Sequence, residues 1–154
     1  MNRCLRVLPL LFICPLALLA QAKNDTEKYI IDEIKSLESR NYFIRDIAFS
    51  PSGDTLTLVR GRSDKAGDKG TVIPLAKVDI YCVTVHRANG IDHYNLVARS
   101  RGREGNFILN GVKFNGVTNL VGMVQDERKA KALEKAFNRL TVLTTGRKEL
   151  FPIP

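Results

Sequence analysis

Cysteine, histidine and long apolar runs are scarce in this 154-residue chain, and each scarcity narrows what it can be. Cysteine occurs at Cys4, Cys14 and Cys82, and histidine only at His86 and His93. A cysteine-braced scaffold or a C-x-x-C redox site is therefore excluded. No G-x-S-x-G, H-E-x-x-H or phosphate-binding loop occurs, so the chemistries those patterns serve have no representative here. The single apolar run, 7–19, is broken by Pro9 and Pro15. It is shorter than the ~20 residues a membrane-spanning helix needs. Neither an internal repeat nor a low-complexity tract is present, which excludes solenoids and arrays.

That apolar run has a context. Arg3 and Arg6 precede it, and Ala20-Gln21-Ala22 follows it. A charged start, an apolar centre and an A-x-A close predict a secretory signal peptide over 1–22. Cys14 lacks the small residues that precede a lipid-attachment cysteine. The expected mature chain, 23–154, is then exported to the periplasm, the envelope surface or the extracellular space. It keeps no transmembrane segment. Losing two arginines and no acid lowers the net charge from +8 to +6. Cys82 is left alone, so no intrachain disulfide can form, and it reads as a small semi-buried strand residue. Asn24-Asp25-Thr26 matches a glycosylation acceptor triplet, which matters only in a eukaryotic source. A single domain is expected over 23–146, with a proline-containing tail at 147–154.

The centre of the chain, 77–101, reads as a long β-hairpin. Alternating runs flank Asn89-Gly90, the pair that a two-residue type I′ turn favours. Such a turn sets His86 opposite His93 and Val85 opposite Tyr94. Tyr81, Val83, Val85, Tyr94, Leu96 and Ala98 then share the core face. Cys82, Thr84, His86, His93, Asn95, Val97 and Arg99 share the other.

Around this hairpin the spacing predicts a first helix over 26–40, with Asp25 or Thr26 as its cap and Ile30, Ile34 and Leu37 on its buried face. Strands follow at 42–50 and 55–61, joined by Pro51-Ser52-Gly53-Asp54. A polar loop at 62–70 and a short strand at 71–75 lead into the hairpin. Two further Asn-Gly pairs, at 110–111 and 115–116, divide short strands. About seven strands are expected, antiparallel because their connections are short. A closing helix over 126–144 carries Ala130, Leu133, Ala136, Phe137, Leu140 and Leu143 on one wide stripe. Its Arg128, Lys129, Lys131, Lys135 and Arg139 mostly lie opposite, as a solvated face does.

Two stretches carry a resemblance. Asp126-Glu127-Arg128-Lys129-Ala130-Lys131-Ala132-Leu133 with Ala136-Phe137-Asn138-Arg139-Leu140 is similar to the closing helix of small pleckstrin-homology-like domains in secreted bacterial proteins of unknown function. Thr71-Val72-Ile73-Pro74-Leu75, Tyr81-Cys82-Val83-Thr84-Val85 and Phe107-Ile108-Leu109-Asn110-Gly111 resemble the strands ahead of it. The resemblance implies an α+β fold: about seven antiparallel strands in a bent sandwich, closed by the C-terminal helix, with the N-terminal helix as an addition. It implies binding rather than catalysis, and no cofactor.

Two clusters carry candidate chemistry. Arg60 and Arg62 end one strand, and Arg99, Arg101 and Arg103 end another at a spacing of two. Arginine pairs well with phosphate and carboxylate, so these five residues are the expected anion site. The partner expected there is an anionic lipid head group, a glycan or an acidic protein surface. Nucleic acid is not expected, since no aromatic residues interleave with the basic ones. His86 and His93 are the second cluster. A directly opposed pair can share a metal, but two ligands are fewer than a structural zinc uses. The sequence therefore points to an exported, non-catalytic binding domain. A hydrolase, metal-dependent or not, with a site near His86 and His93, and a structural envelope component, are the alternatives.

Overall fold

In the computed structural model, the structure describes residues 14–37, 44–60, 70–86, 92–102, 107–109, 111–114, 116 and 118–146. The fold is α+β, with two helices and eight antiparallel strands among the described residues. Helix α1 (Cys14–Lys35) leads into β1 (Ile44–Phe49), β2 (Thr55–Arg60) and β3 (Thr71–Pro74). A 3-10 turn (Leu75–Lys77) connects to β4 (Val78–Val85) and β5 (His93–Ser100). Then come β6 (Phe107–Leu109), β7 (Val112–Phe114), β8 (Thr118–Val124) and α2 (Glu127–Thr145). The strands form two sheets, ordered β1-β2-β3-β6-β7 and β4-β5-β8, that do not close on each other. Eight strands replace the expected seven or so.

Helix α1 begins twelve residues earlier than its apolar spacing predicts. Residues 38–40, the expected end, lie outside the described residues. Thr26 is no cap: it sits inside the helix, buried, and its Oγ1 donates to Ala22 O at 2.7 Å. Such back-bonding is what a hydroxyl does when the helix continues past it. Asp25 accepts from Gln21 Nε2 at 2.8 Å instead of capping. The expected face holds, however. Ile30 and Ile34 are fully buried and Leu37 packs against the same core.

The turn between β1 and β2 is fixed by one carboxylate. Ser50 Oγ, Ser52 Oγ and Thr55 Oγ1 donate to Asp54 Oδ1 at 2.8, 2.7 and 3.0 Å. Gly53 supplies the positive φ of 75°. Helix α1 holds this turn from outside, since Lys23 Nζ donates to Pro51 O at 2.8 Å.

Helix α2 has both of its ends satisfied. Asp126 accepts from the Lys129 N–H at 3.0 Å, and Gly146, at φ 65°, donates its N–H to Val142 O at 3.0 Å. Between the caps, Ala130, Leu133, Phe137 and Leu140 are fully buried. They meet Ile30 and Ile34 of α1, Leu56, Leu58 and Ile73 of the larger sheet and Ile80, Leu96 and Ala98 of the smaller one in a single core. One helix stripe thus serves both sheets. Arg60 adds a polar tie: its guanidinium donates to Leu120 O in β8 and, at 3.4 Å, to Thr71 Oγ1 in β3.

The central hairpin corrects one expectation. Its pairs run Val78↔Ser100 through Val85↔His93, one residue away from the register that a two-residue turn gives. Strand side chains alternate with period two, so a one-residue slip turns over a whole strand. In β5 the expected core face stands, with Leu96 and Ala98 fully buried. In β4 it is reversed. Val78 and Ile80 are buried and Cys82 packs against the core, while Val83 is 38% exposed. The second Asn-Gly behaves as expected: Leu109↔Val112 brackets two residues, and Gly111 has φ 85°.

Candidate functional site

The reversal of β4 creates the site. Strand β5 lies between β4 and β8, so one row of side chains from all three strands looks away from α2 and the core. From β4 this row has Asp79, Tyr81, Val83 and Val85. From β5 it has His93, Asn95, Val97 and Arg99, and from β8 Met123, Leu120 and Thr118, which the register sets beside Asn95, Val97 and Arg99. A bulge between Leu96 and Val97 restores the facing after an irregular step. The apolar members Tyr81, Val85, Val97, Leu120 and Met123 are all partly exposed, and Val83 more so. An apolar sheet face left half open to water is uncommon and marks binding surfaces.

Its two ends differ in charge. At one end the row Asp79–Arg99–Thr118 crosses the sheet. Arg101 frames this end, with Nε and Nη2 donating to Asp79 Oδ1 at 2.9 and 2.7 Å and Nη2 also to Val78 O at 2.8 Å. Arg60 reaches the same strand set through Leu120 O. Arg99 is exposed and, among the described residues, forms no ion pair. Of the five arginines expected to bind an anion, Arg60 and Arg101 therefore have structural partners and Arg99 offers a free guanidinium. Arg62 and Arg103 lie outside the described residues.

At the other end stand the histidines. Val85, and not His86, faces His93, so the two imidazoles point to opposite sides of the hairpin. The opposed pair that could share a metal is not formed. His86 is highly exposed, and its Nδ1 lies 3.0 Å from Asp92 Oδ1. His93 and Asn95 are partly buried on the open face, and His93 Nδ1 and Asn95 Oδ1 have no hydrogen-bond partner. Among the described residues no three His, Cys, Asp or Glu side chains gather into a cluster that could hold a metal.

Cys82 faces the helix side. Burial, then the carboxylates of Glu134 and Glu127, push its thiol pKa up, so it is held as the thiol. Burial likewise raises the carboxyl pKa of Glu134, while the backbone of Cys82 lowers it.

Sequence reasoning placed Tyr81, Val83 and Val85 in the core. The signal that could have moved them was the continuation of apolar alternation through Val78 and Ile80, which fits a core face only with the shifted register. No family model, curated protein or solved structure matches this chain.

Proposed function

We propose that this chain is an exported, non-catalytic binding domain, built on a pleckstrin-homology-like plan, that holds an anionic partner on the open face of β4-β5-β8. The observation that carries the reading is Arg99: an unpaired guanidinium at the end of a half-exposed apolar sheet face. The apolar rows of Tyr81, Val83, Val97 and Met123 offer contact area, and the guanidinium offers a forked donor that selects carboxylate or phosphate. Arg101 and Arg60 support the site rather than bind: they fix Asp79 and Leu120 on either side of it. Export follows from the leader-like start of the sequence.

The test is amide chemical-shift mapping with a short peptide of alternating glutamate and leucine as probe. Shifts should concentrate on Tyr81, Val83, Asn95, Val97 and Arg99. They should shrink as salt rises past ~0.15 M, where the screening length is about 8 Å. Arg99→Gln should weaken the peptide by about tenfold, the scale of one charge-assisted hydrogen bond. Shifts confined to other surfaces, or an affinity indifferent to both salt and Arg99→Gln, would remove the reading.

A further inference from the structure

The helical side of the molecule carries a second, separate surface. We propose that the full-length chain, before any cut after Ala22, docks through it on an anionic bilayer surface, with Leu18 and Leu19 of α1 in the interface and Arg128, Lys135 and Arg139 of α2 on the lipid head groups. This does not rest on the sheet-face reading, since none of these residues belongs to that face.

The apolar half comes from α1, whose first turns project beyond the fold. Residues 17–21 are all exposed, with Leu18 at 64% and Leu19 at 54%. Just after this exposed run, Lys23 ties the helix to the body through Pro51 O. No described helix is long and apolar enough to cross a membrane. Two adjacent exposed leucines on a helix offer the apolar face that an interfacial helix lays into a bilayer surface.

The cationic half comes from α2. Residues 128, 135 and 139 are separated by seven and four positions, so at 100° per residue they form one stripe along the helix. All three are exposed, and among the described residues none is in an ion pair. The neighbouring cations differ: Lys129 Nζ lies 3.5 Å from Glu33 Oε2, and Lys131 Nζ 2.7 Å from Glu127 Oε1. Arg128 lies close enough to Asp126 to lower its carboxyl pKa, so Lys135 and Arg139 carry most of the unneutralised charge.

The two halves face the same way. The helices run antiparallel, with Glu33 of α1 beside Lys129 near the start of α2, and Leu18 beside Arg139 near its end. A groove of about 560 Å³ between them is lined by Leu18, Ala22 and Tyr29 on one wall and Lys135, Ala136 and Arg139 on the other. Asp25 also lines it, and is taken up by Gln21. Leucine and free cations on one side of a helix pair match the layered chemistry of an anionic bilayer, acyl chains below charged head groups. They match an acidic protein surface less well, because that would leave the leucines in water. Two weak signals acting together give the stable attachment that one alone does not.

Flotation of the full-length protein with vesicles tests this. The vesicles are phosphatidylcholine alone, or phosphatidylcholine mixed with phosphatidylglycerol. Binding should require phosphatidylglycerol. Lys135→Gln with Arg139→Gln should weaken it about twenty-five-fold, roughly fivefold for each cation at a charged surface. Leu18→Ser with Leu19→Ser should weaken it too, by a factor that high salt does not remove. Lys113→Gln, a single charge lost on the β6–β7 hairpin, should leave it within twofold, where each α2 cation costs about fivefold. Circular dichroism confirms that each variant is folded. Equal binding to both vesicle types, equal losses from Lys113→Gln and the α2 pair, or capture of the glutamate–leucine peptide by the α2 stripe with no vesicle binding would each overturn the proposal.

Discussion

Arg60 donates to the backbone carbonyl of Leu120, and through that bond the second strand of the larger sheet holds the edge strand of the smaller one. A charged donor spanning two sheets contributes more than a neutral one, because its acceptor has nothing to replace it. Arg60→Ala should therefore lower the unfolding free energy by about 1.5–3 kcal/mol. Arg60→Lys should recover only part of this, since a single ammonium cannot also serve Thr71 as a fork does. Urea denaturation followed by circular dichroism measures both. A loss for Arg60→Ala below about 0.5 kcal/mol would show that the bond does not join the sheets.

Phe137 is the largest side chain that α2 places in the common core, and it is fully buried. Phe137→Ala should cost about 3–5 kcal/mol in the same assay. The loss should appear in one transition, because a single core serves both sheets. Two separate transitions would mean that the sheets unfold independently.

Gly53 and Gly146 both hold positive φ, at 75° and 65°, but in different surroundings. A Cβ on Gly146 meets nothing within 4 Å, so Gly146→Ala should cost about 1–2 kcal/mol from backbone conformation alone. A Cβ on Gly53 would lie 2.2 Å from Glu27 Oε1 and 2.5 Å from Lys23 Cε. Both are flexible side-chain ends, yet moving Lys23 breaks its bond to Pro51. Gly53→Ala should thus be the more damaging of the two. Thermal melts of the pair decide, and the reverse order would show that α1 does not hold the β1–β2 turn.

The three hydroxyl donors on Asp54, led by Ser52, hold its carboxyl below the usual aspartate value. The sign follows from linkage. A carboxyl whose folded pKa is depressed stabilises the fold fully above its unfolded value of about 3.9, and that contribution is lost as pH falls through the folded value. The melting temperature should fall as pH drops below about 4, and Asp54→Asn should flatten this part of the profile. A profile unchanged by Asp54→Asn would assign the acid sensitivity elsewhere. Asp126, depressed first by the Lys129 N–H it caps, acts in the same direction.

The elements were legible in the sequence wherever one strong local rule operated. Pro51-Ser52-Gly53-Asp54 gave its turn, Asn110-Gly111 its hairpin, and Asp126 and Gly146 the ends of α2. The site was half legible. Arg99 stands out in the sequence, because charge at a strand end needs no knowledge of register. The apolar rows beside it were not, because their facing depends on whether an even or an odd number of residues separates Val85 from its partner. Asn89-Gly90 argued for even, and the apolar pattern of the whole strand, from Val78 through Ile80 and Cys82, decided for odd. Burying Val78 and Ile80 outweighs the preference of a single turn. The structural duties of Arg60 and Arg101 were invisible for another reason: their acceptors, Leu120 O and Val78 O, are backbone atoms that no residue type reveals.

The continuity of α1 past Ala22 sets an order of events in the life of the chain. A cut between Ala22 and Lys23 needs a peptide bond free of its neighbours, and in the folded molecule that bond lies inside a helix. The carbonyl of Ala22 is held by the Thr26 hydroxyl, and Lys23 is pinned to the β1–β2 turn. If the chain is cut after Ala22, as the proposed export would have it, folding and processing compete for the same few residues. The cut is then quick while α1 is still unformed, and afterwards it waits on fraying of the helix that folding has built.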